Sequence, residues 1–370
     1  MSASPRMVFH YPGPVPTASG AGSGVRVSRM LEGFRDLGLS VEVVDGYGRT
    51  RRAEMRRLAK AARRGDRFVA LYSEFTTMPT ALADPHHLPL HPRADQAFFR
   101  AMRSSGVPVG VFYRDVQWRF PEYRARVGMI KRTMATVAYR VELQALRRSV
   151  DRLFLPTERM AAWLPGWERD PRVSALPPGG VMRDLPATPS EGRLRLFYVG
   201  SVRPPVYDLG PLLDAIERVP SVDLTVCCPE SERSLVVSRS GWGRQVEVVH
   251  ERGDALIDRY RACDVSCNIF PEHPYRDFAM PVKLFESLGL GRPVLADDQG
   301  PVGSFLASSG GGWAVPLNEL PTLLAELVAE PQRVSAAQAQ ARVIRVDHTW
   351  RARCETAIHL LVRTDDGRAP

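Results

Sequence analysis

Lys283 and Glu286 stand three residues apart in PYRDFAMPVKLFESLGLGRPVLADD, Pro274 to Asp298. The pattern predicts a helix over Pro281–Leu288, and residues three apart on a helix project from one face. Pro281 suits the first helical position, with Met280 leading into it. A helix N-terminus offers free N–H groups and a positive dipole end to an anion. Lys283 adds a full charge there. A pyrophosphate at Lys283 and a ribose diol at Glu286 fit this arrangement, because a carboxylate accepts from both hydroxyls. An ordinary i,i+3 surface ion pair fits the same spacing.

Other residue types with chemical reach sit past predicted strands. Asp115 in VFYRDVQW and Glu74 in LYSE each follow one, as does His10 after MVF. A capping carboxylate suits Asp115 equally well, and a satisfied buried histidine suits His10. His86, His87 and His91 fall in a Pro-rich loop and carry no mechanism by themselves. The run Gly20–Gly24 permits close approach of backbone to a ligand. Asp45 lies at the distance a dinucleotide fingerprint requires, but three prolines separate the glycines from the strand end at Tyr11, where that fingerprint needs a tight turn.

These residues must be held by an alternation of strands and helices that runs the length of the chain. Strands are predicted over Met7–Tyr11, Ser40–Val44, Phe68–Tyr72, Val107–Phe112 and Leu153–Leu155. Helices are predicted over Val25–Leu37, Arg51–Arg64, Ala94–Ser104 and within Tyr123–Arg148. The stretch LPPGGVMRDLPATPS, Leu176–Ser190, breaks the alternation with four prolines and two glycines. It reads as a linker. Strands then resume at Leu194–Val199, Asp223–Cys228, Val246–Val249, Val265–Ile269, Pro293–Ala296 and Trp313–Val315. The helices among and after them are Leu209–Val219, Ala255–Cys263, Pro281–Leu288, Leu317–Ala329, Ser335–Val346 and Thr349–Val362. Alternating elements predict parallel sheets covered on both faces. Two such runs predict two doubly wound α/β domains with a site in the cleft between them.

Composition agrees. The chain has 370 residues, 44% hydrophobic and 25% charged, which suits two globular domains. No apolar run is long enough for a transmembrane helix, and Met7–Phe9 is too short for a signal-peptide core. The expected place is therefore the cytoplasm. Five cysteines without a CxxC pair read as reduced thiols, and no His or Cys cluster has metal-ligand spacing. The net charge of +9 is uneven. Residues 1–180 carry 29 Lys and Arg against 16 Asp and Glu, and the remainder is mildly acidic. A basic half implies an anionic partner.

The segment VKLFESLGLGRPVLA resembles the donor-binding helix of GT-B glycosyltransferases, in the variant with Lys three residues before Glu. Three further stretches share the resemblance. SGAGSGVRVSRMLEGFRDLGLSVEVVDG is similar to the glycine loop, helix and strand that open family-4-like enzymes. RLFYVGSVRPP is similar to the first strand and loop of their C-terminal domain, and DHTWRARCETAIHLL to their closing helix. The resemblance implies a GT-B fold of two facing Rossmann-like domains. The expected boundaries are 1–180, with a closing helix at 347–365 packing back, and 185–346. It implies transfer of a sugar from a nucleotide sugar to a glycan or lipid-linked acceptor. Donor contacts are then expected from Gly200, Ser201, Arg203, Met280, Pro281, Lys283 and Glu286. Gly22, Gly24 and Arg26 are expected in a phosphate or acceptor loop. No cofactor and no metal are expected, since the helix end and Lys283 supply the positive charge.

The sequence departs from the common family-4 motif at one place. A second Glu stands eight residues before the first in that motif, and here the position is Phe278. Inverting GT-B enzymes with Lys then Glu use a separate carboxylate base, for which Asp115 is the first candidate and Glu74 the second. A nucleotide-sugar epimerase of the same fold and a non-catalytic binding module for anionic lipid or nucleic acid are the alternatives. The segment Arg49–Arg67, with seven Arg and one Lys before Gly65, has an apolar stripe of Met55, Leu58, Ala59 and Ala62. It lacks an aromatic stacking platform, so nucleic acid is not expected. An interfacial helix on anionic lipid, at the inner face of the cell membrane, or a plain cover helix would both explain it.

Overall fold

A computed structural model describes residues 4–16, 22–186, 192–238 and 245–363. The chain divides into two compact units, one running to Pro177 and resuming at Trp350, the other spanning Pro178–Thr349.

The first unit contains β1 (Arg6–His10), α1 (Gly22–Asp36), β2 (Ser40–Val44), α2 (Gly48–Arg63), β3 (Leu71–Glu74), α3 (Ala94–Ser104), β4 (Val109–Phe112), α4 (Pro121–Arg126), α5 (Met129–Leu146), β5 (Arg152–Leu155) and β6 (Val173–Ala175). Its sheet runs β2-β1-β3-β4-β5-β6, parallel throughout. Every residue of β3 and β4 is buried, as a parallel sheet covered on both faces requires. Phe9, Phe34, Tyr72 and Phe154 form an aromatic core around it.

The second unit contains β7 (Leu194–Val199), α6 (Gly210–Glu217), β8 (Val222–Cys227), α7 (Arg233–Val237), β9 (Val246–Val249), α8 (Asp254–Ala262), β10 (Val265–Asn268), α9 (Val282–Gly289), β11 (Val294–Asp297), α10 (Gly300–Ser309), β12 (Gly312–Val315), α11 (Leu320–Ala329) and α12 (Pro331–Ile344). Its sheet is β12-β11-β10-β7-β8-β9, again parallel. Counted from β7, that is the Rossmann order 3-2-1-4-5-6. The closing helix α13 (Trp350–Val362) belongs to the first unit and packs on α1. Cys354 there donates to the Met30 carbonyl.

The doubly wound α/β class is as expected. Several details differ. The helix expected within Tyr123–Arg148 is two helices, α4 and α5, separated at Val127 and Gly128, where the backbone turns extended. Strand β6 and helices α7 and α10 were not foreseen; α10 is hidden by its content of glycine and serine. Among the described residues, no helix is long and apolar enough to cross a membrane.

Candidate active site

Strands β7 and β10 are neighbours, and the chain winds away from them in opposite directions across the sheet. Ligands of open parallel sheets bind outside the carboxyl ends of strands at such a switch point. Gly200, Ser201 and Arg203 directly follow β7, and the loop after β10 leads to Met280, Pro281 and α9. The fold therefore brings both expected donor segments to one edge of the second unit. Val199, Asn268, Lys283, Leu284 and Ser287 line a common hollow with room for about one water, ≈ 10 Å³.

Helix α9 starts one residue later than expected. Pro281, with ψ 142°, is its N-cap rather than its first residue. Lys283 is thus the second helical residue, and its Nζ lies 2.7 Å from Glu286 Oε2. The ion pair that the spacing allowed is formed, and both side chains keep partial exposure. Phe278, where the resembled motif has a carboxylate, is buried with Tyr275 edge-on at 5.4 Å.

Close backbone approach fixes α9 from its other side. A Cβ on Gly180 would lie 2.1 Å from the Phe285 carbonyl oxygen, and one on Gly289 would lie 2.5 Å from that of Val181. The extended segment after Pro178 therefore packs directly on the helix, and only glycine permits it at these two points. Arg292, fully buried, donates to the carbonyls of Tyr260, Arg261 and Pro186. It ties the turn after α9 to α8 and to that segment.

Two carboxylates that the sequence reading missed hold the site loops. Glu232 accepts from the Ser201 hydroxyl at 2.8 Å, the Val202 amide at 2.8 Å and Arg203 at 3.3 Å. Burial pushes the Glu232 carboxyl up, but the Val202 amide, Ser201 and Arg203 outweigh it and hold it below its ordinary value. Asp297 is paired with Arg276 at 2.5 Å and accepts from the Phe270 amide. Burial there prevails and holds the Asp297 carboxyl above its ordinary value, against Arg276. Arg276 also donates to the Pro271 carbonyl. The available signal was position: both acids sit at or just past carboxyl ends of strands beside the switch point.

The first unit gives a different picture. Gly20 and Ala21 lie outside the described residues. Gly22 and Gly24 belong to α1 rather than to a loop, and a Cβ on Gly24 would meet Pro16 at 2.9 Å. The close approach there is to the chain itself. Arg26 is buried: it donates to Glu74 at 2.9 Å and to the Tyr72 hydroxyl at 3.3 Å, over the Phe112 ring at 3.5 Å. Glu74 is fully buried and also accepts from the Tyr72 hydroxyl at 2.6 Å, with Arg114 3.6 Å away. These two residues form an internal ion pair, which corrects the expectation that Arg26 meets a ligand and that Glu74 takes an acceptor proton. Neither reaches the surface.

Asp115 is half-buried at the end of β4, and its Oδ1 accepts from the Gln117 amide at 2.8 Å. That i to i+2 bond braces the approach to the turn at Gln117–Arg119, whose N-cap is Val116, and Asp115 keeps part of its surface open. His10 is fully buried between Ser73 at 2.7 Å and Asp95 at 2.9 Å, and burial lowers its pKa. The apolar stripe of α2, Met55, Leu58, Ala59 and Ala62, is also buried, with α3 against it. That corrects its reading as a stripe free to enter lipid; α2 is a cover helix with a basic outer face. All five cysteines are buried, and burial pushes Cys263 up to about 12.

Residues 210–359 match the family described as glycosyl transferase-like. No curated protein matches the chain by sequence. Solved structures similar to the whole chain include sucrose-phosphate synthase from Thermosynechococcus elongatus, 14% identical with a TM-score of 0.64, over 99% of this chain and 100% of that one. The HepE protein of Anabaena, solved with UDP and glucose, is 13% identical with a TM-score of 0.60, over 98% and 99%. The α,α-trehalose 6-phosphate synthase of Burkholderia multivorans is 10% identical with a TM-score of 0.57, over 99% and 100%. The chain has the GT-B fold, and most of its second unit carries a glycosyl transferase-like sequence. The resemblance to GT-B glycosyltransferases read from the sequence is borne out.

Proposed function

We propose that the protein transfers a glycosyl group from a nucleotide sugar to a glycan or lipid-linked acceptor. The observation that carries the reading is α9. Its N-terminus opens at the switch point of the second sheet, with Lys283 in the first turn and Glu286 on the same face. The first-turn amides and Lys283 receive the diphosphate, and Glu286 receives the ribose hydroxyls. As the glycosidic bond to the diphosphate breaks, negative charge grows on the leaving oxygen, and a positive site arranged beforehand stabilises it. That charge comes from the protein itself, so the reading needs no metal or other cofactor.

Gly200, Ser201 and Arg203 form the opposing wall of the donor site, kept in place by Glu232. HepE was solved with UDP and glucose, which makes uridine nucleotides the first donors to test. Asp115, at a strand's carboxyl end and partly open, is the base that takes the acceptor proton if the anomeric configuration inverts. The acceptor stands at an anionic membrane surface, which the basic first unit meets peripherally; nucleic acid is no partner. Release of nucleoside diphosphate from UDP-, GDP- or dTDP-sugars in the presence of a membrane extract is the test. No release with any donor would refute the enzyme assignment.

A further inference from the structure

Helix α5 is apolar on two opposite faces. Ala135, Tyr139, Leu143 and Leu146 point inward and are buried. Ile130, Met134, Val137 and Val141, spaced by four, three and four residues, point the other way. With Met129 they are 44–75% exposed. A helix that faces only water has no use for such a stripe, and large contiguous exposed apolar surface marks an interaction site.

Charge identifies what covers it. Residues 119–148 hold eight Lys and Arg against only Glu122 and Glu142, and Glu142 is buried. Along one flank of the stripe, Arg119, Arg124, Arg132 and Arg140 line a pocket of ≈ 570 Å³ with Trp118 and Trp163 as walls. Val137 belongs to both the stripe and the pocket rim. Among the described residues no salt bridge engages Arg124, Arg132 or Arg140, while Arg119 lies over the Trp118 ring at 5.4 Å and attracts Glu168 at a distance. A second copy of the chain would set one cationic face against another. An anionic bilayer satisfies both features at once: acyl chains take the stripe, and headgroup phosphates take the guanidinium groups. Trp163, half-buried, suits the boundary between the two, whereas Trp118 is buried against Tyr139.

We propose that α5, rather than α2, seats this protein on an anionic lipid bilayer, with its flanking arginine pocket receiving headgroup phosphates. The proposal deepens the membrane-side acceptor reading and rests on it. It places the first unit against the surface from which a lipid-linked acceptor would come.

The test is sedimentation of the full chain with phosphatidylcholine vesicles, with and without phosphatidylglycerol, at low and high salt. Three double variants are compared: Ile130→Asp with Val137→Asp, Arg124→Gln with Arg140→Gln, and Arg56→Gln with Lys60→Gln on α2. All six positions are surface-facing, and equal thermal melting of the variants excludes unfolding. The protein should pellet with phosphatidylglycerol vesicles. Each α5 pair should lower the apparent partition coefficient about tenfold or more, while the charge-matched α2 pair stays within about threefold. Titration of the same variants with UDP keeps the readings apart, since loss of lipid binding with UDP binding retained concerns α5 alone. The proposal is overturned by absence of pelleting, by unchanged binding of the α5 variants, by equal loss in the α2 pair, or by a solution dimer that Ile130→Asp with Val137→Asp dissociates.

Discussion

Lys283 Nζ and Glu286 Oε2 lie 2.7 Å apart on the first turns of α9, and each side chain keeps a quarter or more of its surface exposed. An exposed pair of this kind holds about 0.2–1 kcal/mol, so a diphosphate can draw the ammonium away at little cost. The carboxylate would then be released to a ribose diol. Glu286→Gln should therefore separate two ligands. It should weaken UDP about tenfold, the loss of one charge-assisted contact, while inorganic pyrophosphate binds as well as before or better. Calorimetric titration with both ligands measures this, and equal weakening of both would show that Glu286 does not read the ribose.

Asp115→Asn tests the base. Asparagine keeps an oxygen that can accept from the Gln117 amide, so that local contact should survive. If the reaction inverts, turnover should fall about 10²–10⁴-fold, with donor affinity unchanged. The anomeric configuration of the product by NMR completes the experiment. Near-normal turnover with an inverted product would remove Asp115 from the mechanism.

Arg26 and Glu74 should behave as a structural unit. Removing one partner of a buried pair leaves an uncompensated charge, at about 3–5 kcal/mol. Arg26→Ala and Glu74→Ala should each lower the urea midpoint strongly, and the double variant should lose much less than the sum of the two. Additive losses would mean that the 2.9 Å contact is not what holds them.

The architecture was legible because parallel strands buried on both faces leave unbroken apolar runs, such as MVF in β1 and LFYV in β7. It failed where glycine serves packing instead of turning. Gly22 and Gly24 read as a ligand loop, yet α1 runs through them and Gly24 abuts Pro16. The ion pair of Lys283 and Glu286 was legible because both partners lie within one helical turn. Glu232 and Asp297 were not, since their partners Ser201 and Arg276 lie 31 and 21 residues away in sequence. The same gap misplaced Glu74 and Arg26, 48 residues apart: a carboxylate after a strand looks alike whether it meets substrate or a buried guanidinium.

Glu142 should give the fold a pH dependence. It is buried, and Thr80 donates to its Oε1 from both amide and hydroxyl. Burial raises its pKa from 4.5 to about 7. The native state then holds the extra proton between those values, so stability falls as pH rises through the window and the deficit is complete above it. Glu142→Gln removes the titration. It should flatten the profile between pH 4.5 and 7 and stabilise the fold at pH 8 by up to about 3 kcal/mol. Urea unfolding at pH 5 and pH 8 checks this, and a wild-type profile that rises with pH through the same window would exclude it.

The central claim is that the start of α9 holds the diphosphate of a nucleotide sugar. Titration of the full chain and of Lys283→Ala with UDP, GDP and dTDP is its most direct test. At least one nucleotide should bind, and the variant should bind it about 1.5–3 kcal/mol more weakly, roughly a 10- to 150-fold loss. Binding of equal strength in both proteins, or binding of none of the three by the wild type, would contradict the assignment.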